Sequence, residues 1–142
     1  MIEGVDLPID EHNERSTLDW VKRIVQYANE HAFDSDAVDL TQCYSKNRRN
    51  KEREAYKTYA FLTKYRIMTE DVRNVLSRIT IGQYSYTSIK EGCLDAYIFG
   101  VHMSDIVEDD PEIYLKFQIN DGFIIITIHE SERPLTFPYK EV

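Results

Sequence analysis

The spacing of apolar residues divides the chain into a helical first half and a stranded second half. Apolar side chains recur every three or four positions from Leu18 to Ala28, which is typical of one buried helix face. Ser16 is a suitable N-cap with Asp19 three residues later, so we predict a helix from there to about His31.

Two more helices are predicted before the pattern changes. Ala55, Tyr59 and Leu62 share one face of a helix spanning Asn50–Tyr65. Thr69 is expected to cap a third helix, because acidic residues follow it and favour the positive end of the helix dipole. The apolar stripe of this third helix consists of Val72, Val75, Leu76 and Ile79. A short extended piece is expected around Val38–Tyr44.

Alternation with a period of two begins near Ile81 and predicts strands. The strand candidates are Tyr84–Ile89, Asp95–Val101, Glu112–Ile119 and Phe123–Ile128. The sequence Asn120-Asp121-Gly122 predicts a tight turn between the last two, because glycine tolerates a positive φ and Asn and Asp close short turns. The last strand has almost no polar residue, which favours a position near the sheet centre with both faces covered.

Helices followed by antiparallel strands indicate an α+β fold, with N-terminal helices packed on a C-terminal antiparallel sheet of about four strands. The 142 residues are enough for one domain with a hydrophobic core and too few for two domains that each have such a core. Residues 1–15 are polar and acidic and are expected to form a loose arm. Residues 16–60 are expected to form a helical extension and residues 61–142 the core.

Charge and composition exclude several classes of protein. A net charge of −8 disfavours a general nucleic-acid coat or a binder of anionic membranes. Cys43 and Cys93 have neither a CxxC nor a Cys/His zinc spacing, so neither a disulfide scaffold nor a metal site is expected. No signal peptide, membrane-length apolar run or nucleotide-cofactor motif is present. We therefore expect a cytoplasmic protein without a cofactor.

The segment from Lys46 to Arg66 is basic, although the chain as a whole has a negative net charge. Four of its cations are candidates to follow an RNA backbone: Lys46, Arg48, Arg49 and Arg53. A solvated helix face with glutamates as counterions is an equally good interpretation. Tyr86 is a candidate to stack on a base, although aromatic residues in strands are more often buried.

The residues with the most promising chemistry lie near the end of the chain. His129 follows the last apolar run, and histidine is the side chain best suited to exchange protons near neutral pH. Tyr114 and Lys116 alternate on one side of the neighbouring strand, and Arg133 could hold a phosphate. A proton acceptor, a proton donor and cations are what cleavage of RNA by its own 2′-hydroxyl requires. A structural histidine, a solvated strand face and a local salt bridge are the alternatives.

The C-terminal half, from about Phe61 to Tyr139, resembles the MqsR family of type II toxin–antitoxin toxins. The resemblance rests on "MTEDVRNVLSRIT", "GQYSY", "CLDAYIFG", "EIYLKFQI" and "GFIIITIHESERPLTFPY", and is nearest to a divergent branch in Gram-positive bacteria and their phages. It implies a RelE-like fold and a metal-independent mRNA endoribonuclease that a cognate antitoxin protein holds inactive. Tyr114 matches a tyrosine implicated in that activity, and Lys116 is its strand neighbour.

The chain departs from the better-known members at several positions. Tyr86 and Leu94 stand where those members have a lysine and a glutamine, and Ile128-His129-Glu130 replaces a Phe-Lys-Glu strand end. Those members are also basic. The alternative function is therefore a non-catalytic binding protein on the same scaffold, such as a phage or mobile-element inhibitor of a host nuclease complex, comparable to an anti-CRISPR protein. The third possible function is that of a structural interaction domain without catalytic activity.

Overall fold

The structure of the chain is a computed structural model that describes residues 5–7, 16–34, 37–40 and 54–141, with the backbone alone for residues 5–7, 54 and 55. Its helices are α1 (Leu18–His31), α2 (Glu54–Lys64) and α3 (Thr69–Arg78), followed by a 3-10 helix (Ile81–Gln83). Its strands are β1 (Val5–Leu7), β2 (Val38–Asp39), β3 (Tyr84–Ile89), β4 (Ala96–Val101), β5 (Ile113–Asn120) and β6 (Phe123–Glu130). No helix in these ranges is long and apolar enough to cross a lipid bilayer.

The helices form where the apolar periodicity predicts them, and their ends are fixed by polar contacts. The Thr17 side chain caps α1 by accepting a hydrogen bond from the Trp20 amide, one residue after the predicted cap. Met68, rather than Thr69, is the N-cap of α3, and the Asp71 carboxylate accepts a hydrogen bond from its amide. Asn29 of α1 donates hydrogen bonds to carbonyl oxygens at the end of α3, which holds the two helices together.

The sheet has the strand order β1-β3-β4-β5-β6-β2. The four strands from β3 to β6 form an antiparallel meander, as predicted, and Asp121 and Gly122 close the β5–β6 hairpin with positive φ angles of 50° and 87°. The α+β class is therefore confirmed. The sheet is mixed rather than wholly antiparallel, because the short edge strand β2 pairs in parallel with β6.

Three expectations need correction. Val5–Leu7 pair with β3 as an edge strand and so are not part of a loose arm; the other residues of that arm lie outside the described ranges. The strand buried on both faces is β4, because every one of its residues is buried, whereas Ile125 and Thr127 of β6 are half-buried. His129 does not follow β6 but belongs to it, since pairing with β5 continues to Glu130.

The strands present two different faces, which we call the helix face and the open face. The helix face carries the hydrophobic core shared with α1, α2 and α3, including the fully buried Phe99, Leu115, Phe117 and Ile128. Rings of Phe99 and Phe117 stack there with centroids 5.5 Å apart. Alternation and strand register place the other side chains on the open face: Tyr86, Ile98, Gly100, Tyr114, Lys116, Thr127 and His129.

Candidate functional site

The open face is covered at one end by the segment that follows β6, residues 131–141, which we call the strap. Its start is fixed by Glu112, whose carbonyl oxygen accepts from the Ser131 amide and whose carboxylate accepts from the Leu135 amide. Its far end is fixed by Tyr139, whose hydroxyl donates to the Ser16 carbonyl and whose ring stacks on Tyr84. The strap therefore crosses the sheet from β6 to the start of β3.

Gly100 allows the strap to lie close to the sheet. A Cβ atom at this position would stand 2.6 Å from a ring carbon of Phe137 and 3.2 Å from a methyl carbon of Leu135. Any side chain larger than hydrogen would force both residues outward. Sequence reasoning missed this role, although a glycine inside the apolar strand "AYIFGV" was a usable signal of close approach by another part of the chain.

Between the strap and the open face lies a cleft of about 380 Å³, which we call the strap cleft. Its walls include Tyr86, Tyr114, His129, Glu132, Arg133 and Leu135. Four of the residues predicted from the sequence, Tyr86, Tyr114, His129 and Arg133, thus meet in one cavity although they are distant in the chain.

The centre of the strap cleft is the pair formed by Tyr114 and His129. These residues are directly opposite each other in the β5–β6 ladder, and their rings stack with centroids 4.8 Å apart and planes 12° from parallel. His129 is 7% exposed, so the stack holds an ionisable ring in a largely dry position. Lys116 lies two residues along β5 from Tyr114 on the same face, opposite Thr127.

The hydrogen bond of His129 decides which ring nitrogen carries the hydrogen in the neutral ring. Its Nδ1 lies 2.8 Å from the Glu130 carbonyl oxygen, which can only accept, so Nδ1 carries a hydrogen and donates it. In the neutral ring, Nε2 is then the unprotonated nitrogen. This arrangement leaves Nε2 as the atom that can take a proton from a bound molecule.

The charged residues after His129 are held by α2. Lys57 Nζ lies 2.6 Å from Glu132 Oε1, and Lys64 Nζ lies 3.9 Å from Glu130 Oε1. The hydrogen bond from Lys57 is the main reason that the pKa of Glu132 is lowered. Within the described residues both glutamates therefore pair with α2 lysines, and the local salt bridge considered for Arg133 does not form with them.

Helix α2 also protects the edge of β6 next to His129. The Thr58 hydroxyl accepts a hydrogen bond from the Ile128 amide at 3.0 Å, at a part of the edge that the short strand β2 does not reach. The Tyr65 hydroxyl donates to the Glu130 carboxylate. The first contact fixes the backbone before His129 and the second fixes the side chain of Glu130 after it, and no local sequence pattern indicated either contact.

The predicted RNA-backbone residues Lys46, Arg48, Arg49 and Arg53 lie outside the residues that the structure describes, as does Cys43. Cys93 is an exposed free thiol. Across the described ranges, no group of three or more His, Cys, Asp or Glu side chains is arranged to hold a metal ion.

Comparisons with protein-family models, with curated proteins and with solved structures gave no significant match to this chain.

Proposed function

We propose that this protein is a metal-independent endoribonuclease of the toxin–antitoxin type, with its active site in the strap cleft. The observation that carries the proposal is the stacked Tyr114–His129 pair, with Nε2 of the histidine as proton acceptor and Arg133 on the same cavity wall. The resemblance of residues 61–139 to the MqsR family supports the same class of reaction, and a cognate antitoxin is the protein partner it implies.

The reaction follows from the chemistry of these side chains. Nε2 of His129 takes the proton of the substrate's 2′-hydroxyl, and the 2′-oxygen forms a bond to the neighbouring phosphorus. The bond from phosphorus to the 5′-oxygen breaks, and the Tyr114 hydroxyl supplies the proton that the leaving oxygen takes. The products are a 2′,3′-cyclic phosphate and a free 5′-hydroxyl. Arg133 and Lys116 offset the charge that develops on the phosphate oxygens.

Tyr86 has a separate role in this proposal. It lines the same cleft as the reacting pair, and its aromatic ring is of the type that stacks on bases. Stacking tolerates any base, because every base has a flat aromatic face. Tyr86 thus holds the RNA strand while His129 and Tyr114 act on its backbone.

The test is cleavage of a mixed-sequence RNA in EDTA by the wild type and by His129→Ala. We expect cyclic phosphate ends, seen by mass spectrometry, and a rate about 10²–10⁴ times lower in the variant. His102→Ala is the matched control, because His102 is exposed and pairs with Asp110 on the β4–β5 loop. Equal activity of His129→Ala and wild type would refute the proposed site.

The second candidate is a non-catalytic inhibitor of a nucleic-acid enzyme. The net charge of −8 favours it, together with the β4–β5 loop, where Asp105, Glu108, Asp109 and Asp110 are all exposed. Such a run of carboxylates has the charge of a phosphate backbone. Wild-type protein that cleaves no RNA but inhibits a nuclease added to the same assay would establish this function in place of the first.

A further inference from the structure

His129 lines a second cleft besides the strap cleft. It is an open cleft of about 300 Å³ between α2, the end of β6 and the start of the strap, and we call it the helix cleft. Its walls include Tyr56, Lys57, Ala60, Lys64, His129 and Glu132. His129 and Glu132 belong to both clefts, so the two clefts adjoin at these residues.

The helix cleft has the shape and chemistry of a nucleotide site. Tyr56, Ala60 and Lys64 are spaced by four residues and share one face of α2. The small side chain of Ala60 leaves a hollow beside the half-buried Tyr56 ring. Lys57 and Lys64 lie seven residues apart, about 10 Å along the helix axis, one at each end of this hollow. An aromatic ring and a hollow between two cations suit a base with phosphates on both sides.

The two lysines form ion pairs with carboxylates that a phosphate can replace. Lys57 pairs with Glu132 and Lys64 with Glu130, and the two glutamate side chains are 62% and 41% exposed. Exposed ion pairs contribute about 0–1 kcal/mol, so exchange of a carboxylate for a phosphate oxygen has a small cost. Phosphate oxygens also accept charge-assisted hydrogen bonds from lysine. In the absence of a ligand, the two glutamates thus position the lysine ammonium groups at the helix cleft.

We propose that the helix cleft is a second nucleotide subsite, which binds the nucleotide next to the scissile phosphate. Lys57 and Lys64 take its phosphates in exchange for Glu132 and Glu130, and its base occupies the hollow at Ala60 beside Tyr56. This inference rests on the proposed function, because it assumes that the strap cleft holds the reacting nucleotide. It assigns α2, which spans the boundary between the helical extension and the MqsR-like region, to substrate recognition.

The first test compares a dinucleotide with a hexanucleotide RNA. In Lys57→Gln/Lys64→Gln the ratio of kcat/KM for the hexanucleotide to that for the dinucleotide is expected to fall about tenfold. Glu132→Gln should move the same ratio upward, because it releases Lys57. Lys90→Gln removes an exposed cation that lines neither cleft and should leave the ratio unchanged. An unchanged ratio in the double variant, or a fall in Glu132→Gln, would overturn the subsite.

The second test does not depend on cleavage. Binding of a 2′-O-methyl hexanucleotide, which cannot be cleaved, is measured by fluorescence anisotropy over a range of salt concentrations. The slope of log Kd against log salt should be smaller in magnitude by about 1.4 in the double variant, since each phosphate contact on a single strand contributes about 0.7. Wild-type binding without cleavage, together with the smaller slope in the double variant, would refute the proposed function and support the helix cleft as an RNA-binding site. Cleavage with an unaltered slope would refute the subsite alone, and absence of both binding and cleavage would refute both.

Discussion

The helix face and the open face of this sheet consist of alternate residues of the same strands, yet they differ in almost every property. Leu115 and Phe117 of β5 are fully buried in the core, whereas Tyr114 and Lys116, which alternate with them along the strand, are half-buried on the open face. Among the described residues, three helices cover the helix face, whereas the strap covers one end of the open face. Whether a strand residue serves stability or chemistry thus depends on whether its position in the strand is odd or even, so a register shift of one residue would exchange the two roles.

The largest expected effect on stability or activity comes from substitutions that alter only one face of the sheet. Leu115→Ala should lower the free energy of unfolding by about 2–5 kcal/mol, because it leaves a cavity in the core. Lys116→Ala, one residue away, should change it by less than about 1 kcal/mol and reduce RNA cleavage about a hundredfold. Urea unfolding and initial rates measure both. A Lys116→Ala variant as unstable as Leu115→Ala would contradict the division between the faces.

The next largest effect on stability is expected where the strap packs against the open face. Gly100→Ala should destabilise the protein by about 1–3 kcal/mol, because its new methyl group collides with Phe137. Adding Phe137→Ala removes the collision, so the double variant should be less destabilised than the sum of the two single changes. Thermal unfolding of the four proteins measures this coupling. Additive changes would mean that the strap does not lie against Gly100.

A smaller effect comes from Tyr84, which links the core to the strap. Burial raises its pKa above the ordinary value of 10.0, and its hydroxyl is hydrogen-bonded to Thr87. The folded state therefore holds the phenolic proton more tightly than the unfolded state. The stabilisation is complete below pH 10 and is lost as the pH rises through the raised pKa.

Tyr84→Phe tests this dependence. At neutral pH the variant should be about 1 kcal/mol less stable, because the hydrogen bond to Thr87 is lost. Above pH 10 the difference should narrow, since phenylalanine has no proton to lose. Urea unfolding between pH 7 and pH 11 provides the measurement, and a difference that stays constant across that range would contradict it.

The smallest effect is expected for the pair between Lys57 and Glu132. A double-mutant cycle with Lys57→Gln and Glu132→Gln should give a coupling of about 0.2–1 kcal/mol, because the pair is exposed to solvent. The pKa of Glu132 is lowered in the folded state, so the coupling is present above the ordinary glutamate pKa of 4.5 and is lost as the pH falls through the lowered value. A coupling that persists at pH 2 would contradict the assignment to this ion pair.

The features that sequence could predict are those that local patterns determine. The apolar stripe of α1, the turn at Asp121-Gly122 and the boundaries of β3 all depend on residues close together in the chain. The short strands β1 and β2 depend on distant partners, since Val5 pairs with Ile89 and Val38 with Ile124. No local pattern in two or three residues distinguishes such a strand from a loop.

The same distinction holds for the candidate site. His129, Tyr114 and Arg133 could be selected because their side chains have unusual chemistry at strand ends, and the β5–β6 register then brought the first two together. The roles of Gly100 and Thr58 could not be selected, because each depends on a segment that approaches from elsewhere in the chain. The chemistry of a residue can be recognised from its own side chain, whereas its packing depends on residues that lie elsewhere in the chain.

The strap has a consequence for the time at which the site forms during synthesis. Residues 131–141 leave the ribosome after every strand they cross, and the strap cleft needs Glu132, Arg133 and Leu135 from this segment. The strap can dock only on strands that have already paired, so the cleft is completed after the sheet that supports it. A chain that stopped before residue 131 would contain every described strand of the sheet but could not form this cleft.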